Sequence, residues 1–269
     1  MRKRRFWSLS VSFLASFAGV AFTTASVQAA TNSTPSTATV PPQIRTSAPP
    51  EVRVMTIGGS VAHGWNDPRK NGYLHRAFVT LTRQFGVAYT VYDRTIPGAN
   101  AVQLQNTLYK GSYEKWLRTI HPNIVVLSWG LLNDCLPKTP LAEFDKYVGQ
   151  EIREALAAHA IVFMVTPPVT RASYTQYLTQ QQMYVNAEIQ LAASFHNPHL
   201  YTFDIFDQMK QYLIDTNQTY VRYSADGWHP NSAGHRLAAR MLVTDIDNAF
   251  HLTAPALPNN ASPTWSIKW

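Results

Sequence analysis

Cysteine is nearly absent: the 269-residue chain has one, Cys135. No intramolecular disulfide can form, no cysteine-rich zinc cluster can be assembled, and Cys135 reads as a small packed hydrophobe. No His-Glu-x-x-His pair occurs among the nine histidines, and His235 stands too far round the turn from His229 to be an obvious co-ligand. Neither a metal nor another cofactor is therefore expected. Charged residues make up only 14% of the chain, and no dense Lys/Arg run with interleaved aromatics follows residue 50. That leaves nucleic-acid binding without support. No internal repeat is present.

The N-terminus has a strong composition of its own. Arg2-Lys3-Arg4-Arg5 is followed by a stretch over residues 6–22 that is apolar apart from scattered serines, and Val27-Gln28-Ala29 then supplies small residues at signal-peptidase spacing. Residues 1–29 read as a secretory signal, giving an exported chain that begins at or next to Ala30 and is not held in the membrane. The competing reading is an uncleaved anchor, because the apolar run approaches spanning length. Loss of this segment removes four basic and no acidic residues, so the formal balance of +7 falls to +3. Mild attraction to anionic wall polymers is compatible with that charge. Residues 30–50 are rich in Pro, Ser and Thr and read as a spacer. Residues 51–252 read as one domain, whose export without disulfides requires a substantial core. Residues 253–269 read as a tail that Trp265 and Trp269 could pin to the surface.

Within the domain, short apolar runs alternate with helical patterns. Strands are expected at 52–57, 88–92, 124–128, 161–166 and 200–203, and helices at 73–84, 141–158, 174–195 and 231–250. Such alternation predicts an α/β fold: a three-layer α/β/α sandwich around a mainly parallel, five-stranded sheet. Sites in these sheets lie at the carboxyl ends of the strands.

The stretch "TIGGSVAHGW" occupies such an end, after the first strand. Glycines there permit an abrupt turn and close approach. Ser60 on that turn is either a nucleophile or an ordinary turn hydroxyl. The second informative stretch is "DGWHPNSAGH", just before the last helix. Asp226 and His229, three apart, can share a hydrogen bond that orients the imidazole as a base, which is what a serine needs to become nucleophilic. Closing a turn and capping the helix are the alternative roles for this pair.

Together these stretches resemble the SGNH, or GDSL-type, hydrolase superfamily over residues 52 to about 250. Its Gly-Asp-Ser motif is matched by Gly58-Gly59-Ser60, its second glycine by Gly98 in "TIPGAN", its Gly-x-Asn-Asp motif imperfectly by "WGLLND", and its Asp-x-x-His motif by Asp226 and His229. The resemblance implies a flavodoxin-like fold with Ser60 as nucleophile, His229 as base and Asp226 as its partner. It also implies an oxyanion hole built from the Ser60 and Gly98 N–H groups and the Asn133 side chain. Fixed donors of this kind are worth about 3–4 kcal/mol of barrier each. Two departures stand out. Gly59 replaces the usual aspartate, and "GLLND" carries one extra residue, so either the loop bulges to keep Asn133 pointing inward or Asn133 loses its role. The Gly-x-Ser-x-Gly elbow of α/β-hydrolases fails on order, since here the serine follows the first strand.

His63, Trp65, Trp129 and Trp228 flank these motifs, as does Tyr73. They are candidates for lining the site or stacking on a sugar ring, with ordinary packing as the alternative. The reading is a secreted, metal-independent serine esterase that cleaves small acyl esters, O-acetyl groups on carbohydrate foremost. An O-acyltransferase, or a non-catalytic carbohydrate- or wall-binding module on the same fold, is the alternative.

Overall fold

Strands come first, because they fix everything else. In a computed structural model of the chain, residues 51–68, 71–252 and 266–268 are described. The expected signal segment, the spacer and most of the tail lie outside them. The apolar, β-branched runs form β1 (Val52–Gly58), β2 (Tyr89–Asp93), β3 (Ile124–Ser128), β4 (Ile161–Val165) and β5 (Leu200–Phe203). A short β6 (Ser266–Lys268), from the stretch read as a tail, pairs with β2 in the register Thr90↔Ser266. The order is β5-β4-β3-β1-β2-β6, and every pairing is parallel.

Side chains on a strand alternate between faces, and here both faces are covered. Val54, Val126, Phe163 and Val165 pack under α2 (Tyr73–Phe85) and α9 (Ser232–Phe250), meeting Leu74, Phe78, Leu242 and Ile246. Met55, Ile57, Val125, Leu127 and Met164 pack on the opposite face. That layer contains α3 (Ala101–Asn106), α4 (Ser112–Ile120), α6 (Leu141–Ala157) and α7 (Leu178–Ser194). The fold is thus the three-layer α/β/α sandwich. α8 (Ile205–Asp215) buries Phe206, Met209 and Leu213 beside it. Two one-turn helices, α1 (Ser60–His63) and α5 (Leu132–Cys135), complete the set.

The chain leaves β1 for β2 on one side and returns for β3 on the other. That reversal opens a crevice at the carboxyl ends of β1 and β3, where ligands bind in such sheets. Ser60 and the "WGLLND" loop are both delivered there.

One expected helix is shorter than its pattern. Over 174–195 only α7 is helical, preceded by a 3₁₀ turn at Ala172–Tyr174. The Ser173 hydroxyl accepts from the Thr170 N–H at 2.9 Å, and the Ala172 N–H donates to the Gly227 carbonyl at 2.9 Å. These bonds hold the segment against the Asp226–His229 loop instead of letting it continue the helix.

The α6–α7 layer also buries acids. Glu151 and Glu188 are both fully buried, and neither Glu188 oxygen nor Glu151 Oε1 has a donor among the described residues. Burial drives the Glu188 carboxyl well above the ordinary range, with nearby Asp134, Glu151 and Asp204 adding to the shift. A carboxyl whose folded pKa exceeds its unfolded value, near 4.5, stabilises the fold fully only below that value, and the contribution fades as pH rises. Glu188→Gln should therefore melt with the wild type near pH 4 and increasingly above it toward pH 9, both about the edges of the useful range. Thermal melts across that range check this, and a gap that is constant or narrows with pH contradicts it.

Candidate active site

At the end of β1 there is room only for glycine. A Cβ on Gly58 would lie 2.1 Å from the Ser128 carbonyl oxygen, where β1 abuts β3. The chain then turns through Gly59 into α1, and Ser60 is the first residue of that turn of helix.

The imidazole arrives from the other side. Asp226 Oδ1 accepts from the main-chain N–H groups of Trp228 at 2.7 Å and His229 at 2.8 Å. This tight loop explains the three-residue spacing, since it turns His229 Nδ1 back to 2.9 Å from Asp226 Oδ2. Nε2 of the same ring lies 2.9 Å from Ser60 Oγ. Burial alone would raise the Asp226 carboxyl, but the bonds from His229 and the Trp228 and His229 N–H groups outweigh it and hold it below the usual carboxylate range. An ionised carboxylate only accepts, so Nδ1 carries the proton of the neutral ring and Nε2 is left to accept from the Ser60 hydroxyl.

The loop 64–67 clamps these parts together, and its role had no signature in the sequence reading. Asn66, in the left-handed region at φ 65°, donates from Nδ2 to Asp226 Oδ2 at 2.5 Å. Asp67 is buried, bonded by Arg76 Nη2 at 2.7 Å and by the Ser232 hydroxyl at 2.5 Å. His235 is fully buried, and its Nδ1 accepts from the Tyr73 N–H at 3.3 Å while Nε2 donates to the Trp65 carbonyl at 3.4 Å. Burial lowers its pKa to about 4, so it is a neutral brace. Asparagine tolerates left-handed turns, and that is the signal the residue type itself carries at position 66.

The loops that carry the named oxyanion donors are tied together, the Ile96 N–H donating to the Gly58 carbonyl at 2.8 Å. As the first residue of α1, Ser60 has an N–H without a helical acceptor. Ile96, Pro97, Gly98 and Ala99 form a turn closed by the Ala99 N–H on the Ile96 carbonyl at 3.0 Å. Gly98 has φ +86°, the type II pattern that needs glycine after proline. Among the described residues no acceptor engages the Gly98 N–H.

Asn133 donates from Nδ2 to the Ala99 carbonyl at 2.9 Å, and a Cβ on Gly59 would lie 3.4 Å from that nitrogen. The amide therefore reaches the serine turn, and its second N–H remains to donate. The extra residue of "GLLND" is absorbed at Leu131, a buried leucine held at φ +63°. Such a conformation costs on the order of 1–3 kcal/mol and persists only where surroundings fix it. Here Gln181 Nε2 donates to the Gly130 carbonyl at 3.2 Å, and the Tyr184 hydroxyl to the Thr139 carbonyl at 2.5 Å. Asn100 Nδ2 donates to Asp134 Oδ1 at 2.9 Å. Burial raises the Asp134 carboxyl to about 7 against the bonds from Thr139 and Asn100. The aspartate-to-glycine departure has a local counterpart: a Cβ on Gly59 would lie 3.2 Å from the Ala99 carbonyl oxygen, in the space this pairing occupies.

The flanking candidates divide. Trp65 is half exposed, with its ring centroid 6.2 Å from that of His229. Trp228 is half-buried and meets Tyr177 edge-on at 5.7 Å. His63 turns toward the end of β2, with Nδ1 2.9 Å from the Thr95 hydroxyl and 3.6 Å from Asp93. Trp129 does not line the site: it is 1% exposed, and its indole N–H donates to Glu151 Oε2 at 2.8 Å inside the core. Tyr73 is likewise buried, its hydroxyl paired with that of Ser128. Burial, reinforced by Asp134, pushes the buried Cys135 thiol up to about 12.

Residues 56–237 match the GDSL-like lipase/acylhydrolase family. The chain belongs to that family and is a carboxylic ester hydrolase. No curated protein sequence matches it. Among solved structures, it is similar to a catalytic mutant of Axe2, an acetylxylan esterase from Geobacillus stearothermophilus. The TM-score is 0.60 at 15% identity, over 72% of this chain and 94% of that one. A family 3 carbohydrate esterase from Clostridium thermocellum matches with TM-score 0.56 and 16% identity, over 76% and 99%. The psychrotrophic esterase EstA from Pseudoalteromonas sp. matches with TM-score 0.53 and 16% identity, over 74% and 98%.

Proposed function

We propose that Ser60, His229 and Asp226 form the catalytic triad of an exported esterase that removes O-acetyl groups from carbohydrate. The observation that carries the triad is the unbroken relay from Ser60 Oγ through both His229 nitrogens to Asp226, with 2.9 Å at each step. His229 Nε2 takes the hydroxyl proton as Ser60 Oγ bonds to the acyl carbon. Negative charge on the carbonyl oxygen is met by the Ser60 and Gly98 N–H groups and the Asn133 amide. Collapse breaks the bond to the sugar oxygen, which leaves with the proton from His229. Water then attacks the acyl-enzyme, with His229 again as base, and acetate departs.

The carbohydrate part rests on Trp65, half exposed with its ring 6.2 Å from that of His229, a face on which a pyranose ring can stack. Among the similar structures are enzymes named for acetylxylan and carbohydrate esters, which supports the same class. Export rests on the basic start, apolar run and Val27-Gln28-Ala29 site, and the mass of the secreted chain should place its start at or next to Ala30. Acetate release from acetylated xylo-oligosaccharides tests the substrate class. We expect a kcat/KM at least about tenfold above that for a chromogenic acetate, the equivalent of about 1.4 kcal/mol of extra contact. Turnover of the chromogenic ester without release from any acetylated glycan would contradict the carbohydrate assignment.

A further inference from the structure

A second surface adjoins the triad through the loop 64–67. Between α2 and α9 runs a groove of about 620 Å³ whose walls carry Arg76, Arg83, Arg236 and Arg240 and, among the described residues, no acidic side chain. Arg76 and Arg83 lie about 10 Å apart along α2, and Arg236 and Arg240 about 6 Å apart along α9, so each pair presents one face of its helix. Arg76 is neutralised by Asp67, to which it donates from Nε at 3.0 Å and Nη2 at 2.7 Å. No ion pair or hydrogen bond engages Arg83, Arg236 or Arg240 among the described residues. All three are exposed. Three unneutralised guanidinium groups facing one groove make a site for repeated anions, each planar fork matching a carboxylate in bidentate fashion.

The rest of the lining narrows the ligand. Asn71, Gln84 and Thr244 offer amides and a hydroxyl, and Val79 and Val243 an apolar floor. Sugar rings have hydroxyls for the first and C–H faces for the second. Among the described lining residues there is no Phe, Tyr or Trp, and His75 is the one aromatic ring on which a nucleobase could stack. From Arg76 to Gln84 the groove runs about 12 Å along α2, long enough for more than one sugar ring.

We propose that this groove docks a carboxylated, uronate-bearing stretch of the same polysaccharide whose acyl ester is presented to Ser60. The link is structural: Arg76 at the groove's end holds Asp67, Asp67 holds Ser232 at the start of α9, and neighbouring Asn66 holds Asp226. The proposal rests on the esterase reading for its second half only, because docking is measured without catalysis.

The experiment compares the protein recovered after export with its Arg83→Gln/Arg236→Gln/Arg240→Gln variant. The probes are polygalacturonate, neutral xylan, poly(glycerol phosphate) and duplex DNA, with binding read by affinity electrophoresis. The wild type should bind polygalacturonate most tightly, and raised salt should weaken that binding. The triple variant should bind it at least about tenfold more weakly while melting at the same temperature, since all three side chains are exposed. KM for an acetylated polygalacturonate should rise by a similar factor, with kcat held. Binding that is absent, equal in the variant, or as tight to DNA, poly(glycerol phosphate) or xylan overturns the groove assignment. Wild-type turnover of a chromogenic acetate reports separately on the esterase reading, so the two failures are distinguishable.

Discussion

Ser60→Ala is expected to lower kcat for a chromogenic acetate by about 10⁴–10⁶-fold, with His229→Ala costing the same and the double variant little more. In the proposed triad the two side chains act as one unit. Without the hydroxyl, the imidazole has no proton to take, and without Nε2 at 2.9 Å the hydroxyl keeps its proton at neutral pH. Asp226→Ala should leave more activity, because it removes orientation and charge stabilisation while the base remains. Steady-state kinetics on variants with wild-type melting temperatures provide the check. A Ser60→Ala enzyme retaining more than about a hundredth of wild-type kcat would place the nucleophile elsewhere.

Asn133→Ala is the second large effect, a loss of about 10²–10³ in kcat with KM close to wild type. The amide lies beside the serine turn, and the charge it would meet develops only during attack, so the bond strengthens chiefly in the transition state. In the unliganded site its Nδ2 is on the Ala99 carbonyl at 2.9 Å, so the substitution also loosens a tie between two loops. The split between kcat and KM separates these consequences, because a loosened loop would weaken substrate binding as well. A loss below about tenfold would mean that the kink at Leu131 leaves Asn133 no part in the oxyanion hole.

The sheet was legible because buried strands advertise themselves. The five expected strands all occur with bounds within one residue of those observed, and the parallel arrangement follows from their alternation with helices. Short helices left weaker traces. α1 and α5 span a single turn each, too short for any period to emerge. α3 did carry a signal, the Asn100…Gln103 capping box, and α4 a stripe of Tyr113, Leu117 and Ile120. Neither was recognised. β6 lies in a proline-punctuated segment that reads as a tail, and its pairing with β2 is a tertiary event.

At the site, spacing revealed what local geometry fixes. Asp-x-x-His is a closed loop, and the glycines before Ser60 answer to a real lack of room. The ties from Asn66 to Asp226 and from Asp67 to Ser232 were invisible because each spans some 160 residues of chain. Trp129, offered as a candidate for lining the site with ordinary packing as the alternative, takes the packing role. The strand period places it with Val125 and Leu127, facing α6 rather than the site, and Glu151 holds it there.

The central claim is that one serine is activated, and covalent labelling tests it most directly. A phosphonate ester mimics the tetrahedral intermediate and bonds to an activated serine, while an ordinary turn hydroxyl reacts slowly. Incubation followed by peptide mapping should give a single adduct, on Ser60, that His229→Ala suppresses together with turnover. A folded, ester-hydrolysing wild type that is labelled at another serine, or not at all, would contradict the account.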